Sequence, residues 1–176
     1  MTYRIILPLL KEDMVKFRAG EELLLNGIIY TARDAAHKKL HELLLAGKPL
    51  PFKLPGQIIY YTGPSPAPPG RPIGSAGPTT SDRMDPFTPE LLALGLSAVI
   101  GKGPRSAEVR QALRQNQALY LGALGGAGAL LAQAVTAAEV IAFPELGTEA
   151  IRRLTVRDFP VTVLYDLHGG DLYASR

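Results

Sequence analysis

The chain has 176 residues, 47% hydrophobic and 20% charged, with a formal net charge of +3 and no cysteine. That size suits one domain able to bury about two-thirds of its unfolded surface. Lacking cysteine, the chain has no disulfide framework, thiolate nucleophile or cysteine-ligated metal of its own, and its 19 Lys and Arg against 16 Asp and Glu form no nucleic-acid footprint.

The N-terminal MTYRIILPLLKED sets Arg4 ahead of an apolar run too short for a secretory signal, with no small-residue cleavage pattern, so a cytoplasmic location is expected. A short strand is predicted over 4–7 and a helical turn or two over 11–17. EELLLNGIIY, residues 21–30, predicts a strand or a hairpin turning at Asn26-Gly27, a pair that tolerates positive φ. TARDAAHKKLHELLLA, residues 31–46, is the clearest helix. Thr31 precedes Asp34 by three residues in the manner of a capping box, and Gly47 and Pro49 close the far end.

A strand at 57–61 leads into TGPSPAPPGRPIG, residues 62–74, which is too rich in Pro and Gly for regular structure and reads as a rigid surface loop. A helix follows around 88–95, a strand at 97–101, a helix near 105–114, a strand at 118–122 and a small-residue helix at 125–135. Further strands are predicted at 138–143, 153–157, 160–165 and 170–174. Residues 117–138 carry no formal charge, but Ala and Gly dominate and Gly125-Gly126 interrupts them. A buried strand, a turn and a buried helix account for this stretch better than a membrane span. Strands interleaved with helices indicate a single α/β domain over residues 1–176.

YTARDAAH, PTTSDRMD and VIGKGPRS each place a cation where an extended segment gives way to a helix. Arg33 would stand at the second helical position if Thr31 is the cap. Thr80 or Ser81 can cap a short turn carrying Arg83, and Lys102 sits between two glycines. A helix start exposes unpaired N–H groups and a partial positive charge, so cations there make sense where an anion is to be held. GKG at 101–103 fails the phosphate-loop pattern, and the glycines of 122–128 do not fit GxGxxG in register. Close helix packing is the simpler account of those glycines. His37 and His41 have an i, i+4 spacing that can hold zinc, yet no third ligand is evident. His37 lies one turn beyond Arg33 and could support a site without binding metal. His168, beside Gly169-Gly170, belongs to a turn between strands.

Taken together, TARDAAHKKL, YYTGPSPAPPGRPIGSAGPTTSDRMD, IGKGPRS, PELG and DLHGGDLY resemble the beta subunit, or C-terminal region, of the iron–sulfur class I fumarate hydratases and the related L(+)-tartrate dehydratases. GSAGPTTSDRMD is the most specific block, and PAPPGRPIGSAG looks more like the fumarase branch. The resemblance implies a swivelling β/β/α domain and a separate alpha subunit carrying a [4Fe–4S] cluster that this chain does not hold. It further implies substrate binding by Arg33, Arg83 and Lys102, and a catalytic threonine at Thr79 that moves a proton at carbon. Thr80, adjacent, is the other candidate for that role.

The expected function is thus one half of a hetero-oligomeric hydro-lyase for fumarate and L-malate, inactive without its partner, with no nucleic-acid or membrane role. The alternatives are a beta subunit of L(+)-tartrate dehydratase and a non-catalytic subunit that binds dicarboxylates. Arginine suits a dicarboxylate because its planar fork can grip a carboxylate through two bonds.

Overall fold

In a computed structural model that describes residues 1–123 and 127–174, seven strands form one mixed sheet. The strands are β1 (Thr2–Ile6), β2 (Glu22–Thr31), β3 (Ile58–Tyr60), β4 (Ala98–Gly101), β5 (Leu119–Gly122), β6 (Val135–Ala142) and β7 (Ile151–Tyr165). The helices are α1 (Lys11–Met14), α2 (Asp34–Leu45), α3 (Thr88–Ala93), α4 (Ala107–Gln115) and α5 (Gly128–Gln133). Strands β1 to β5 run parallel in that order. Strand β7 returns antiparallel to β5 and pairs back along β2, so that β2, β3, β4, β5 and β7 close a ring of pairings. Strand β6 flanks β7.

The ring explains why β3, β4 and β5 read as unbroken apolar runs, since parallel strands covered on both faces need no polar side. Alternate residues divide between two cores. Ile58, Tyr60, Ala98, Ile100, Leu119 and Leu121 pack inward with Leu25, Phe159 and Val163. Ile59, Tyr61, Val99 and Tyr120 pack outward against Leu40 of α2, Leu91 of α3 and Val109 of α4. Full burial of one such side chain contributes on the order of 2 kcal/mol.

Several local expectations change under tertiary pairing. Asn26-Gly27 makes no hairpin: β2 runs straight through, and Gly27, at φ 132°, serves a bulge against β7. Thr31 is the last residue of β2 and not a helix cap. Its hydroxyl donates to the Ala150 carbonyl and accepts the Arg152 N–H at 3.0 Å, which leaves Arg33 at the cap position of α2 without a side-chain cap bond. The predicted strands at 153–157 and 160–165 are one continuous strand, with exposed Pro160 opposite Leu24. Residues 170–174 form turns with a single bridge from Asp171 to Tyr165, because Gly169 at φ 87° turns the chain before a strand can extend.

The proline-rich loop is only partly on the surface. Residues 65–72 are exposed, but Ile73 and Ala76 enter the inner core. The Tyr60 hydroxyl donates to the Ala76 carbonyl, Thr62 Oγ1 donates to Gly77 O at 2.7 Å, and Ala76 N donates to Gly128 O at 3.1 Å. A Cβ at Gly128 would overlap Ser75 Oγ and lie 2.9 Å from Gly77 N, so this glycine allows α5 to approach the loop. Gly125 and Gly126, where the predicted helix at 125–135 begins, lie outside the described residues. Among the described residues no helix is long and apolar enough to cross a membrane.

Candidate functional site

Because β2, β3 and β4 are parallel neighbours, their C-terminal ends share one rim of the ring. Open parallel sheets bind ligands at such ends, where several loops leave the sheet together. Arg33 lies two residues beyond β2. Thr79 N donates to the carbonyl of Tyr61, the residue after β3, at 2.7 Å. Lys102 follows β4 directly and forms a parallel bridge with Thr80, while Ser81 N donates to Lys102 O at 2.9 Å. Arg83 reaches back toward Arg33 through Asp34: Asp34 Oδ2 is 3.0 Å from Arg83 Nε, and Asp34 Oδ1 is 3.7 Å from Arg33 Nε. The rim therefore gathers Arg33, Thr79, Thr80, Arg83 and Lys102.

A helix start is not common to the three cations. Arg33 does cap α2, and Arg83 rides a 3-10 turn over Ser81–Met84. Lys102, however, is separated from α4 by a loop, and the cap of α4 is Ser106, whose Oγ accepts from Val109 N at 3.2 Å. Thr80 occupies the cap position of the 3-10 turn but makes no side-chain cap bond there.

Beneath the rim, a buried polar layer ties the loops together. Ser81 Oγ accepts the Lys102 N–H at 3.1 Å and lies 2.8 Å from the Tyr120 hydroxyl, which is 2.6 Å from the Gly103 carbonyl. A carbonyl only accepts, so the Tyr120 proton goes to Gly103 and Ser81 gives its own proton to Tyr120. Burial pushes the Tyr120 phenol up, which keeps that proton in place. A Cβ on Gly101 would overlap Ser81 Oγ and come within 2.8 Å of Tyr61, so the GKG loop and the TTS turn meet only at a glycine.

Arg105, with a wholly buried side chain, forms a 2.6 Å ion pair with Asp85 and donates to Thr88 Oγ1 at 2.9 Å. Its guanidinium lies between the rings of Tyr61 and Tyr120. A buried pair of this kind is costly to break, because the charge left behind has no partner.

The profile of the family described as Fumarase C-terminus matches residues 3–176. The chain belongs to this family. It is 43% identical over 163 residues to "Fumarate hydratase class I, anaerobic" of Escherichia coli K12, covering 92% of this chain and 30% of that protein. It is 38% identical over 166 residues to "Fumarate hydratase 2" of Leishmania major, covering 93% and 29%. With the "Putative L(+)-tartrate dehydratase subunit beta" of Methanocaldococcus jannaschii it shares 40% identity over 171 residues, covering 94% and 88%. The chain thus spans less than a third of the two fumarate hydratases and most of the third relative.

The donor set of this Fumarase C-terminus chain does not fit an iron–sulfur cluster, which takes cysteine thiolates. The chain has none, and among the described residues no three His, Asp or Glu side chains form a group that could hold a metal. The two helical histidines serve different neighbours. His37 Nδ1 faces Arg33 O at 2.8 Å, and His41 Nδ1 faces Glu90 Oε1 at 2.7 Å. His168 sits in the turn after β7, its Nε2 2.7 Å from Val15 O. Asp166 organises that turn, its carboxylate accepting the N–H groups of Ala19, His168 and Gly170 at 2.8 Å each.

Sequence reasoning missed the supporting layer of this Fumarase C-terminus site. Ser81 was visible only as an alternative cap, and Asp34 only as part of a capping box. Arg105 stood within GKGPRS, directly ahead of the Ser106 cap; a second cation three residues after Lys102 in a short Gly-Pro loop was the available signal.

Proposed function

We propose that this chain is the beta subunit of a two-subunit iron–sulfur hydro-lyase that reversibly hydrates fumarate to L-malate. The observation that carries this reading is the convergence of Arg33, Arg83 and Lys102 on one rim beside Thr79 and Thr80, in a member of the Fumarase C-terminus family. In this reading the two arginines and the lysine bind the substrate carboxylates. In the dehydration direction a proton leaves the carbon next to one carboxylate and hydroxide leaves the neighbouring carbon, so that water is lost and the double bond of fumarate forms; the negative charge that builds toward the carboxylate is stabilised by the cations. Thr79, with Thr80 as the alternative, moves that proton. A threonine hydroxyl is a weak base, so the role depends on the neighbouring cations to favour its ionised form.

The [4Fe–4S] cluster belongs in this reading to an alpha subunit, and no step assigned to this chain runs through it. One relative supports a partner: the Methanocaldococcus protein, covered over 88% of its length, is named a beta subunit. The closed sheet ring then acts as a swivelling β/β/α domain in the cytoplasm, bringing its rim to the partner. That same relative also favours a second reading, a beta subunit of L(+)-tartrate dehydratase.

Anaerobic co-expression with a cysteine-bearing alpha partner, followed by assays on fumarate and L(+)-tartrate, tests both readings. Fumarate hydration that requires both chains is expected. Preference for tartrate would install the second reading, and turnover of neither acid would leave a non-catalytic binding subunit.

A further inference from the structure

Three cations alone would give the rim a charge of +3, but one acid stands among them. The Asp34 carboxylate is shared by Arg83, 3.0 Å from its Oδ2, and Arg33, 3.7 Å from its Oδ1. Both contacts are made on the Nε side of the guanidinium. Arg33 Nε and Asp34 Oδ1 are buried without a hydrogen bond, so they attract as charges across a gap they do not close. The other nearby acids are differently engaged. Glu149 accepts the Ala35 N–H at 3.2 Å, and Asp85 is neutralised by Arg105. Asp82, exposed on the turn that carries Arg83, pairs with none of the rim cations among the described residues.

We infer that Asp34 is a positioning and specificity-determining residue. It holds the inner edges of Arg33 and Arg83, leaves their outer nitrogens for a ligand, and trims the rim from +3 to +2, the complement of a doubly negative acid. The inference rests on the reading of the rim as a dicarboxylate site. Its physical content is a difference in repulsion: a tricarboxylate brings one more negative charge up to Asp34 than a dicarboxylate does. Replacing Asp34 by Asn keeps shape and an acceptor oxygen while removing that repulsion. At separations of a few ångströms in a half-exposed site, the dicarboxylate-to-tricarboxylate affinity ratio should change by about five- to tenfold.

The test is titration calorimetry with succinate and tricarballylate on the full chain and on the complex in which it co-purifies. Wild type should favour succinate. Asp34→Asn should lower the succinate-to-tricarballylate ratio about five- to tenfold, and Asp34→Glu should restore it. Asp34→Ser carries the same expectation as Asn, so a misfolded variant does not end the test. A purely structural role would weaken both acids alike; an unchanged ratio, or wild type binding neither acid in either form, overturns the inference. A ratio that depends on Asp34 in a complex with no hydration activity would sink the proposed reaction and leave this role standing. Hydration with an unaltered ratio would do the reverse.

Discussion

His37 Nδ1 lies 2.8 Å from the backbone oxygen of Arg33, one helical turn before it. A carbonyl accepts, so Nδ1 carries the proton of the neutral ring, and Nε2 is left buried without a partner. Burial pulls the His37 pKa down to about 4; Arg105 adds to that, while the Arg33 carbonyl and Asp34 act against it. A neutral imidazole thus braces the turn from which Arg33 projects.

This histidine makes the fold sensitive to acid in a defined window. An unfolded His binds its proton near pH 6.5 and the folded one only near about 4, so its contribution is whole above 6.5 and falls away between those values. The upper bound is about 3 kcal/mol. Urea midpoints of wild type should drop between pH 7 and 4.5 more than those of His37→Gln. Parallel pH dependences would remove His37 as the cause.

Arg83→Lys retains the charge but loses the planar fork and the geometry set by Asp34. A fall in kcat/KM of about 10- to 100-fold is expected in the assembled enzyme, the worth of one or two charge-assisted hydrogen bonds. Arg71→Lys, in the exposed part of the proline-rich loop, should stay within about twofold. Equal losses at both positions would count against the rim as the binding site.

Gly101→Ala pushes a methyl group into Ser81 Oγ and Tyr61, and should destabilise the domain by about 1–3 kcal/mol. Ser81→Ala removes the overlapped oxygen, so the double variant should be more stable than the sum of the single losses predicts. Thermal unfolding of all four proteins measures that coupling. Strict additivity would mean that the two loops do not press on each other at this point.

Thr79 is half-buried with its N–H anchored to Tyr61 O, whereas Thr80 is exposed with no cap bond. Thr79→Ala should lower kcat by about 100-fold or more with KM little altered, as expected for loss of a proton-transferring group. Thr80→Ala should change kcat only a few-fold. The reverse order in steady-state kinetics would transfer the proton role to Thr80.

Local pattern was enough to find most elements. Apolar runs marked β3, β4 and β5, and the helical segments at 31–46 and 105–114 became α2 and α4 with ends moved by up to three residues. Arg83 and Lys102 stand in segments whose Gly and hydroxyl content suits neither a buried strand nor a helix interior, so their place outside the long elements was legible too, whereas Arg33 was read inside a helix and stands at its cap position. The role of Thr31 was not legible, since its capping-box spacing is real and only pairing with β3 and contacts to Ala150 and Arg152 draw it into the sheet.

By itself the sequence determined which residues are apolar enough to be buried, where the chain must turn, and that three cations lie where extended segments end. Only the tertiary structure decided that the loops there leave one rim, that β7 closes the ring on β2, and that Asp34, Ser81 and Arg105 hold the rim together. Periodicity reports each residue's preference for water over distances of a few residues. Strand partners and buried ion pairs are instead selected by contacts between segments far apart in the chain, and those leave no local period to read.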